Sequence, residues 1–181
     1  FYVSWIFFGN FILLNLFLAI LLDSFLEEEE DEELDQEKEI VTCMGSKEGI
    51  AHLSLATLSI DDTVLVQSPT YPIHSYGVVI AGANLQSVTL KDNADEFLSD
   101  IEESILNASK KPKMIIINFP SNPTTQSVTI DFFKKIVEIG KKYDIWIIHD
   151  LAYADIAFDG YKAPSILEVE GAKDIAVEFF T

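Results

Sequence analysis

The spacing of apolar and polar positions alternates between two patterns along most of the chain. Short apolar runs, rich in β-branched and aromatic side chains, are typical of strands, and longer stretches with apolar residues every three or four positions are typical of amphipathic helices. The short runs predict strands at residues 40–44, 63–68, 85–90, 114–119, 145–150 and 176–180. The longer stretches predict helices at residues 48–59, 96–109 and 130–143. This order predicts an α/β fold, a three-layer αβα sandwich with a mostly parallel sheet, over residues 40–181.

The first 22 residues have a different pattern, because they are apolar almost throughout and contain no charged side chain. As a helix they would be about 33 Å long, enough to cross the hydrocarbon core of a bilayer. Asn10 and Asn15 would then face other helices or water. We therefore expect one transmembrane helix at residues 1–22, with the membrane as a partner.

An acidic segment follows at residues 23–39. It contains eleven acidic residues and one lysine, a net charge of −10 out of −18 for the whole chain. Like charges repel one another and do not pack, so we expect a linker or a solvated helix extension here. The acidic balance argues against nucleic acid as a partner, since nucleic-acid-binding proteins usually present basic surfaces.

Residues 9–25, GNFILLNLFLAILLDSF, resemble the last pore-lining helix of a voltage-gated cation channel repeat. The resemblance implies a membrane protein whose acidic segment and later residues lie on the cytosolic side. It also leaves open an alternative function, that of a membrane-anchored, channel-related fragment without an enzymatic role.

Polar side chains follow the predicted strands at the edge where open α/β sheets bind ligands. After the first strand comes GSKEG, where Ser46 is positioned to cap a helix. The backbone amides of Ser46, Lys47 and Glu48 would then form a seat for an anion or a phosphate. After the second strand, Tyr71 lies in a loop that two prolines stiffen.

The next two strand ends add an amide, a carboxylate and a phenol. Asn122 precedes a proline and is therefore held extended, so its amide can reach a ligand. Asp150 ends the apolar strand IWIIHD, and Tyr153 follows three residues later. We expect these groups to converge on one cleft.

Four motifs, GSKEGIAHL, SPTYPIHSYG, NFPSNPTT and HDLAYADIAFDGY, resemble in order and spacing the class I/II aminotransferases that use pyridoxal 5'-phosphate. The resemblance runs from about residue 40 to residue 181 and implies part of the large domain of fold type I. By this resemblance, Ser46 and the amides of Lys47 and Glu48 hold the phosphate of the cofactor, and Tyr71 stacks on its pyridine ring.

The same resemblance gives roles to the remaining groups. Asn122 and Tyr153 would hydrogen-bond the phenolic oxygen of pyridoxal phosphate, and Asp150 would pair with the ring nitrogen. A carboxylate there favours a proton on that nitrogen, and the cationic ring can accept electrons when a substrate loses its Cα proton.

The resemblance also predicts what these residues lack. In the family, the lysine that forms the Schiff base follows the strand matching residues 176–180, beyond Thr181. The sequence contains no arginine to bind a substrate carboxylate. We therefore expect no catalytic residue, non-covalent cofactor binding at best, and no turnover by this chain alone. The family acts on amino acids and 2-oxo acids and is usually homodimeric. His52, His74 and His149 have no metal-binding spacing and are expected to be structural.

Overall fold

The computed structural model describes residues 39–181. The predicted transmembrane helix at residues 1–22, and residues 23–38 of the acidic segment, lie outside the described residues. Residues 43–181 form one compact unit.

A five-stranded sheet lies at the centre of this unit, with the strand order β2-β1-β3-β4-β5. The strands are β1 (Thr63–Ser68), β2 (Asn84–Thr89), β3 (Met114–Asn118), β4 (Trp146–Leu151) and β5 (Ala176–Phe180). All four neighbouring pairs are parallel. The prediction of a mostly parallel sheet is therefore confirmed.

The position of each strand in the sheet explains its composition. The central strand β3, MIIIN, is buried at every position because helices cover both of its faces. The edge strand β2, NLQSVT, is mostly polar and mostly exposed. The other edge strand, β5, is partly buried along most of its length.

Helices cover both faces of the sheet. They are α1 (Ser46–Thr57), α2 (Pro72–Ile80), α3 (Ala94–Asn107) and α4 (Ile130–Tyr143), followed by 3-10 turns at Ile166–Glu168 and Ala172–Asp174. One apolar core contains residues of α3 and α4, and a second lies on the opposite face, where Leu53 of α1 and Val78 of α2 pack. The three-layer arrangement is therefore present in residues 43–181.

Helix α4 has the bounds that the sequence pattern predicts. Its predicted apolar side is buried, and Lys141 and Lys142 lie in its last turn. Gly140 allows close packing, since an added Cβ would lie 2.6 Å from Ile175 Cδ1 and 2.8 Å from Ile147 Cδ1. A larger residue at position 140 would force the side chains of Ile175 and Ile147 to move.

Helix α2 was not predicted, although it fills the connection between β1 and β2. Pro72 occupies its first turn, where the missing backbone N–H costs nothing because no helical partner exists for it. Tyr71 is the N-cap residue with an extended backbone. The two prolines therefore lead into a helix instead of a longer loop.

The strand predicted at residues 40–44 is wrong. These residues form no strand, and Val41 and Met44 are largely exposed. A strand is stable only when its backbone groups pair with a neighbour. Within the described residues, β5 ends the sheet and pairs with β4 alone. Apolar composition at residues 40–44 was therefore not enough to place them in the sheet.

Candidate cofactor-binding site

The carboxyl ends of the central strands bring the predicted groups to one edge of the sheet. Asn118 at the end of β3 lies in register with Asp150 of β4. The loop after β1 leads to Tyr71, and the loop after β4 carries Tyr153. Because all strands run in the same direction, these connections open on the same side.

A cavity of about 290 Å³ lies at this edge. Its lining comprises Gly45, Ser46, Lys47, Tyr71, Asn118, Asp150, Ala152, Tyr153 and Thr181. Five of the seven residues predicted for the site therefore surround one cavity. The other two, Glu48 and Asn122, do not line it.

Asp150 is the most buried carboxylate of the cavity, with 3% of the residue exposed. Its Oδ2 accepts a hydrogen bond from His74 Nε2 at 2.9 Å. His74 is completely buried, and its Nδ1 is hydrogen-bonded to the hydroxyl of Thr70. His74 was expected to be merely structural, but it holds the carboxylate of the site from helix α2.

The second carboxylate oxygen of Asp150 differs from the first in its hydrogen bonding. Oδ1 is buried and makes no hydrogen bond within the described residues. Burying an ionised oxygen without a hydrogen-bond donor costs free energy, and such atoms are rare in folded proteins. The site therefore has an acceptor available for a donor that is not part of residues 39–181.

Asn122 and Tyr153 meet directly, although they come from different loops. Asn122 Nδ2 donates to Tyr153 Oη at 2.9 Å. Tyr153 lines the cavity, so this bond fixes a phenol group that borders the cavity. The two residues predicted to act on the same ligand atom are thus brought together.

Three buried polar residues that were not predicted hold the strand ends together. Asn118 Nδ2 donates to the carbonyl of Asp150 at 2.8 Å, and its Oδ1 accepts from the backbone N–H of Asn122 at 2.8 Å. Gln67 Oε1 accepts from Asn118 N, and Gln67 Nε2 donates to Ser121 Oγ. A polar residue ending a buried apolar run, as in VLVQ and IIIN, is the sequence signal that could have found Gln67 and Asn118.

The start of α1 faces the cavity with a different cap from the one predicted. Gly45 is the N-cap, with φ at 81°, and Ser46 is already the first helical residue. The prediction that Ser46 caps the helix is therefore wrong. Among residues 39–181 no side chain caps this helix, so the first-turn amides have no side-chain acceptor from that part of the chain.

Glu48 and Lys47 contribute differently from one another. The Glu48 carboxylate accepts a hydrogen bond from Met44 N at 3.0 Å and forms an ion pair with His52. Both contacts are to residues within four positions of Glu48 in the sequence. Lys47 is exposed and lines the cavity. Only the backbone of Glu48 was predicted to act, and its carboxylate contacts other groups.

A second cavity, of about 520 Å³, opens beside the first. Tyr153 lines both cavities, and Asn122 and the apolar side chains of Ile156 and Phe158 line the second. No charged side chain of the described residues lines it. The pair formed by Asn122 and Tyr153 therefore borders two adjoining spaces.

The family model for aminotransferase class I and II matches residues 8–178. The chain belongs to this family. Glutamate-pyruvate aminotransferase AlaC of Escherichia coli is 57% identical over 151 residues, which are 83% of this chain and 36% of that protein. LL-diaminopimelate aminotransferase of Aquifex aeolicus is 44% identical over 149 residues, 82% of this chain and 38% of that protein.

Solved aminotransferase-like structures have the same fold. The substrate-bound structure of BacF from Bacillus subtilis superposes with a TM-score of 0.69 at 33% identity, over 76% of this chain and 34% of that one. An N-succinyldiaminopimelate aminotransferase from Thermus thermophilus, described as probable, superposes with a TM-score of 0.68 at 32% identity, over 76% of this chain and 36% of that one. The chain thus spans about a third of the length of the relatives it matches.

The predicted membrane location is wrong. The aminotransferase family model covers residues 8–178, including most of the segment predicted to cross the membrane, and the relatives are aminotransferases. Neither finding supports the resemblance of residues 9–25 to a channel helix. In residues 39–181, every helix is too short or too polar to span a bilayer.

The family implies pyridoxal 5'-phosphate as the cofactor, and the residues present fit it. The free Asp150 Oδ1 is an acceptor for a protonated ring nitrogen. The first-turn amides of α1 are donors for a phosphate. The ring of Tyr71 supplies an aromatic surface to the same cavity. The donor and acceptor types therefore match those of the cofactor.

Proposed function

We propose that this chain is the cofactor-binding part of a pyridoxal-phosphate-dependent aminotransferase large domain, comprising residues 40–181. The observation that carries the proposal is the buried, unpartnered Oδ1 of Asp150 in a cavity that also contains a helix N-terminus. In the proposed reaction, an amino group is transferred from an amino acid to a 2-oxo acid. The relative named for glutamate and pyruvate supports this reaction class.

Each residue of the site has one proposed task. Asp150 Oδ1 accepts the N–H of the pyridine ring and keeps a proton on that nitrogen, while His74 fixes the other carboxylate oxygen. Tyr71 packs against the ring. Bound pyridoxal phosphate supplies an acceptor for the electron pair released when a substrate loses its Cα proton.

The phosphate and the phenolic oxygen have separate binding groups. Ser46, through its hydroxyl, and the amides of Lys47 and Glu48 bind the phosphate at the positive end of α1. Asn122 and Tyr153 bind the phenolic oxygen as a pair, and their mutual hydrogen bond orients the phenol before the cofactor enters.

Substitution of Asp150 tests the proposal directly. The ligand is pyridoxamine 5'-phosphate, which has no aldehyde and so cannot react with lysine, and its affinity is measured by calorimetry. We expect Asp150→Ala to weaken binding at least tenfold, since truncating one partner of a buried charged hydrogen bond costs about 2 kcal/mol or more. Asp155→Ala, an exposed carboxylate in the same loop, is the matched control and should bind normally. Equal affinities for the Asp150→Ala variant and the unmodified chain would refute the assignment.

We also propose that the 181-residue chain holds the cofactor without a covalent bond and does not turn over. Among residues 39–181, Lys47 is the only lysine that lines the cavity, and it lies in the turn assigned to the phosphate. Borohydride reduction in the presence of pyridoxal phosphate, followed by peptide mass spectrometry, should give no stoichiometric adduct. One lysine modified in every molecule would contradict this proposal.

A further inference from the structure

His149 lies next to Asp150 on β4 but faces the opposite side of the sheet, because successive side chains of a strand alternate. Its Nδ1 contacts Glu178 Oε2 of β5 at 2.8 Å, and its Nε2 contacts the carbonyl of Phe119 at 3.0 Å. The His149 side chain is completely buried, and that of Glu178 is 8% exposed. The ring of Phe133 packs against His149 at 4.6 Å between ring centroids.

Both ring nitrogens of His149 face acceptors. The carbonyl of Phe119 can only accept, so Nε2 must donate. On the other side, Glu178 also accepts from Ser165 Oγ at 2.7 Å and from Ile166 N at 2.9 Å. Burial alone would raise the pKa of Glu178, but the hydrogen bonds from His149 and Ser165 and the charge of His149 hold that pKa below its ordinary value. An ionised Glu178 leaves Nδ1 as a second donor.

The carbonyl of Phe119 is the point where the chain leaves β3 toward Asn122. The segment of residues 119–123, which we call the Asn122 loop, contains Pro120 and Pro123, and proline has no backbone N–H to anchor a loop. On one side, Asn118 Oδ1 accepts from Asn122 N. From the other face of the sheet, His149 Nε2 donates to Phe119 O. Side chains thus hold the loop from both faces.

We propose that His149, kept doubly protonated by Glu178, is a positioning residue of the cofactor site. It fixes the Phe119 carbonyl and thereby sets where the Asn122 loop presents the Asn122 side chain to Tyr153. His149 acts through Asn122 and contacts no ligand itself. The relevance of this position to cofactor binding rests on the proposed function, but the proton and the loop geometry can be measured without a ligand.

The first measurement is the protonation of the ring by NMR on chain labelled with ¹⁵N-histidine. The sequence has three histidines, so single substitutions assign every signal. We expect both ring nitrogens of His149 to carry protons, and Glu178→Gln to remove the proton from Nδ1. The control is Glu48→Gln, which changes the exposed pair of Glu48 with His52 and should leave the His149 signals unchanged. A single ring proton on His149 in the unmodified chain would overturn the proposal.

The second measurement is the position of Asn122. The single substitution His149→Phe would leave Glu178 buried without its partner. The double variant His149→Phe with Glu178→Leu is therefore the safer test of the hydrogen bond from His149 to the Phe119 carbonyl. We expect a shifted Asn122 side-chain amide signal and faster exchange of its protons in the double variant, with Asn107, a distant exposed residue, as the internal control. An unchanged Asn122 signal in a folded double variant would refute the positioning role.

The third measurement tests whether the hydrogen bond from His149 to the Phe119 carbonyl affects ligand affinity. We expect the double variant to bind pyridoxamine 5'-phosphate about five- to tenfold more weakly, and this loss to disappear when Asn122 is already alanine, as for coupled residues. An equal loss in the Asn122→Ala background would show a general structural effect and overturn the proposal. If the unmodified chain does not bind the ligand at all, the proposed function fails, while the NMR results still decide the role of His149.

Discussion

Two buried histidine–carboxylate pairs flank the end of β4, one on each face of the sheet. On the face of α1 and α2, Asp150 pairs with His74 at 2.9 Å, and its other oxygen has no donor within the described residues. On the opposite face, Glu178 pairs with His149 at 2.8 Å and is fully satisfied by Ser165 Oγ and Ile166 N. Both pairs consist of a histidine and a carboxylate, and they differ in whether each carboxylate oxygen has a hydrogen-bond donor.

This difference separates a binding group from a structural one. A completely satisfied buried pair stabilises the fold that surrounds it, whereas an incompletely satisfied one lowers stability until a ligand supplies the missing donor. The two pairs should therefore respond differently to the same kind of substitution.

Glu178→Ala should have the largest effect. It leaves the His149 ring, Ser165 and Ile166 without their acceptor in a buried place, and removing one partner of a buried pair costs about 3–5 kcal/mol. The free energy of unfolding, measured in urea, should fall by that amount. A loss below about 1 kcal/mol would show that the pair is not important for the fold.

The pH dependence of stability should reveal the same pair. The pKa of Glu178 is below its ordinary value of 4.5, because the hydrogen bonds from His149 and Ser165 outweigh the effect of burial, which raises it. A folded pKa below the unfolded one means that the stabilisation is fully present above about pH 4.5 and is lost as the pH falls through the folded pKa.

The difference in unfolding free energy between the unmodified chain and Glu178→Gln measures this contribution. We expect this difference to shrink as the pH falls below about 4.5. Other acidic residues titrate in the same range, but they are identical in both chains and cancel. A difference that does not change down to about pH 3 would contradict the assignment.

Ser165→Ala should have a smaller effect. It removes one of the donors to Glu178 and also the cap that accepts from Leu167 N. Each loss is about 1 kcal/mol, so a decrease of roughly 1–2 kcal/mol is expected in urea unfolding. Ser99→Ala, at an exposed position of α3, serves as the comparison, and a larger loss there would weaken the argument.

Asp150→Asn should have the smallest effect on the free chain, and its sign should be opposite. The amide keeps an acceptor for His74 Nε2 and removes a buried charge that has an unpartnered oxygen. We expect the free energy of unfolding to rise by about 0.5–1 kcal/mol, while affinity for pyridoxamine 5'-phosphate falls. A clear loss of stability would mean that the Asp150 carboxylate is satisfied in the free chain.

Much of the architecture was accessible from local patterns. The bounds of β1, β5 and α4 agree with the predicted ones because the periodicities of buried strands and amphipathic helices are strong. Helix α2 was missed because Pro72 resembles a loop signal. Residues 40–44 were predicted as a strand because composition describes a propensity for pairing, whereas pairing itself depends on a neighbouring strand.

The candidate site was predicted in the same uneven way. Asp150, Tyr71 and Tyr153 lie at or just after the ends of predicted strands, which is visible in the sequence, and they line one cavity. His74 was set aside because nothing in PIHSYG places it near Asp150, which is 76 residues away. Its role depends on how α2 packs on the sheet.

By itself, the order of apolar and polar residues determined that strands and helices alternate and that polar groups follow the strands. That information is local, since each period reflects one element and its exposure. The packing of distant elements, by contrast, determines that Asp150 Oδ1 has no donor within residues 39–181 and that His149 donates to the Phe119 carbonyl. Both results depend on distances between elements that are far apart in the chain, and hydrogen bonds are made or lost over fractions of an ångström.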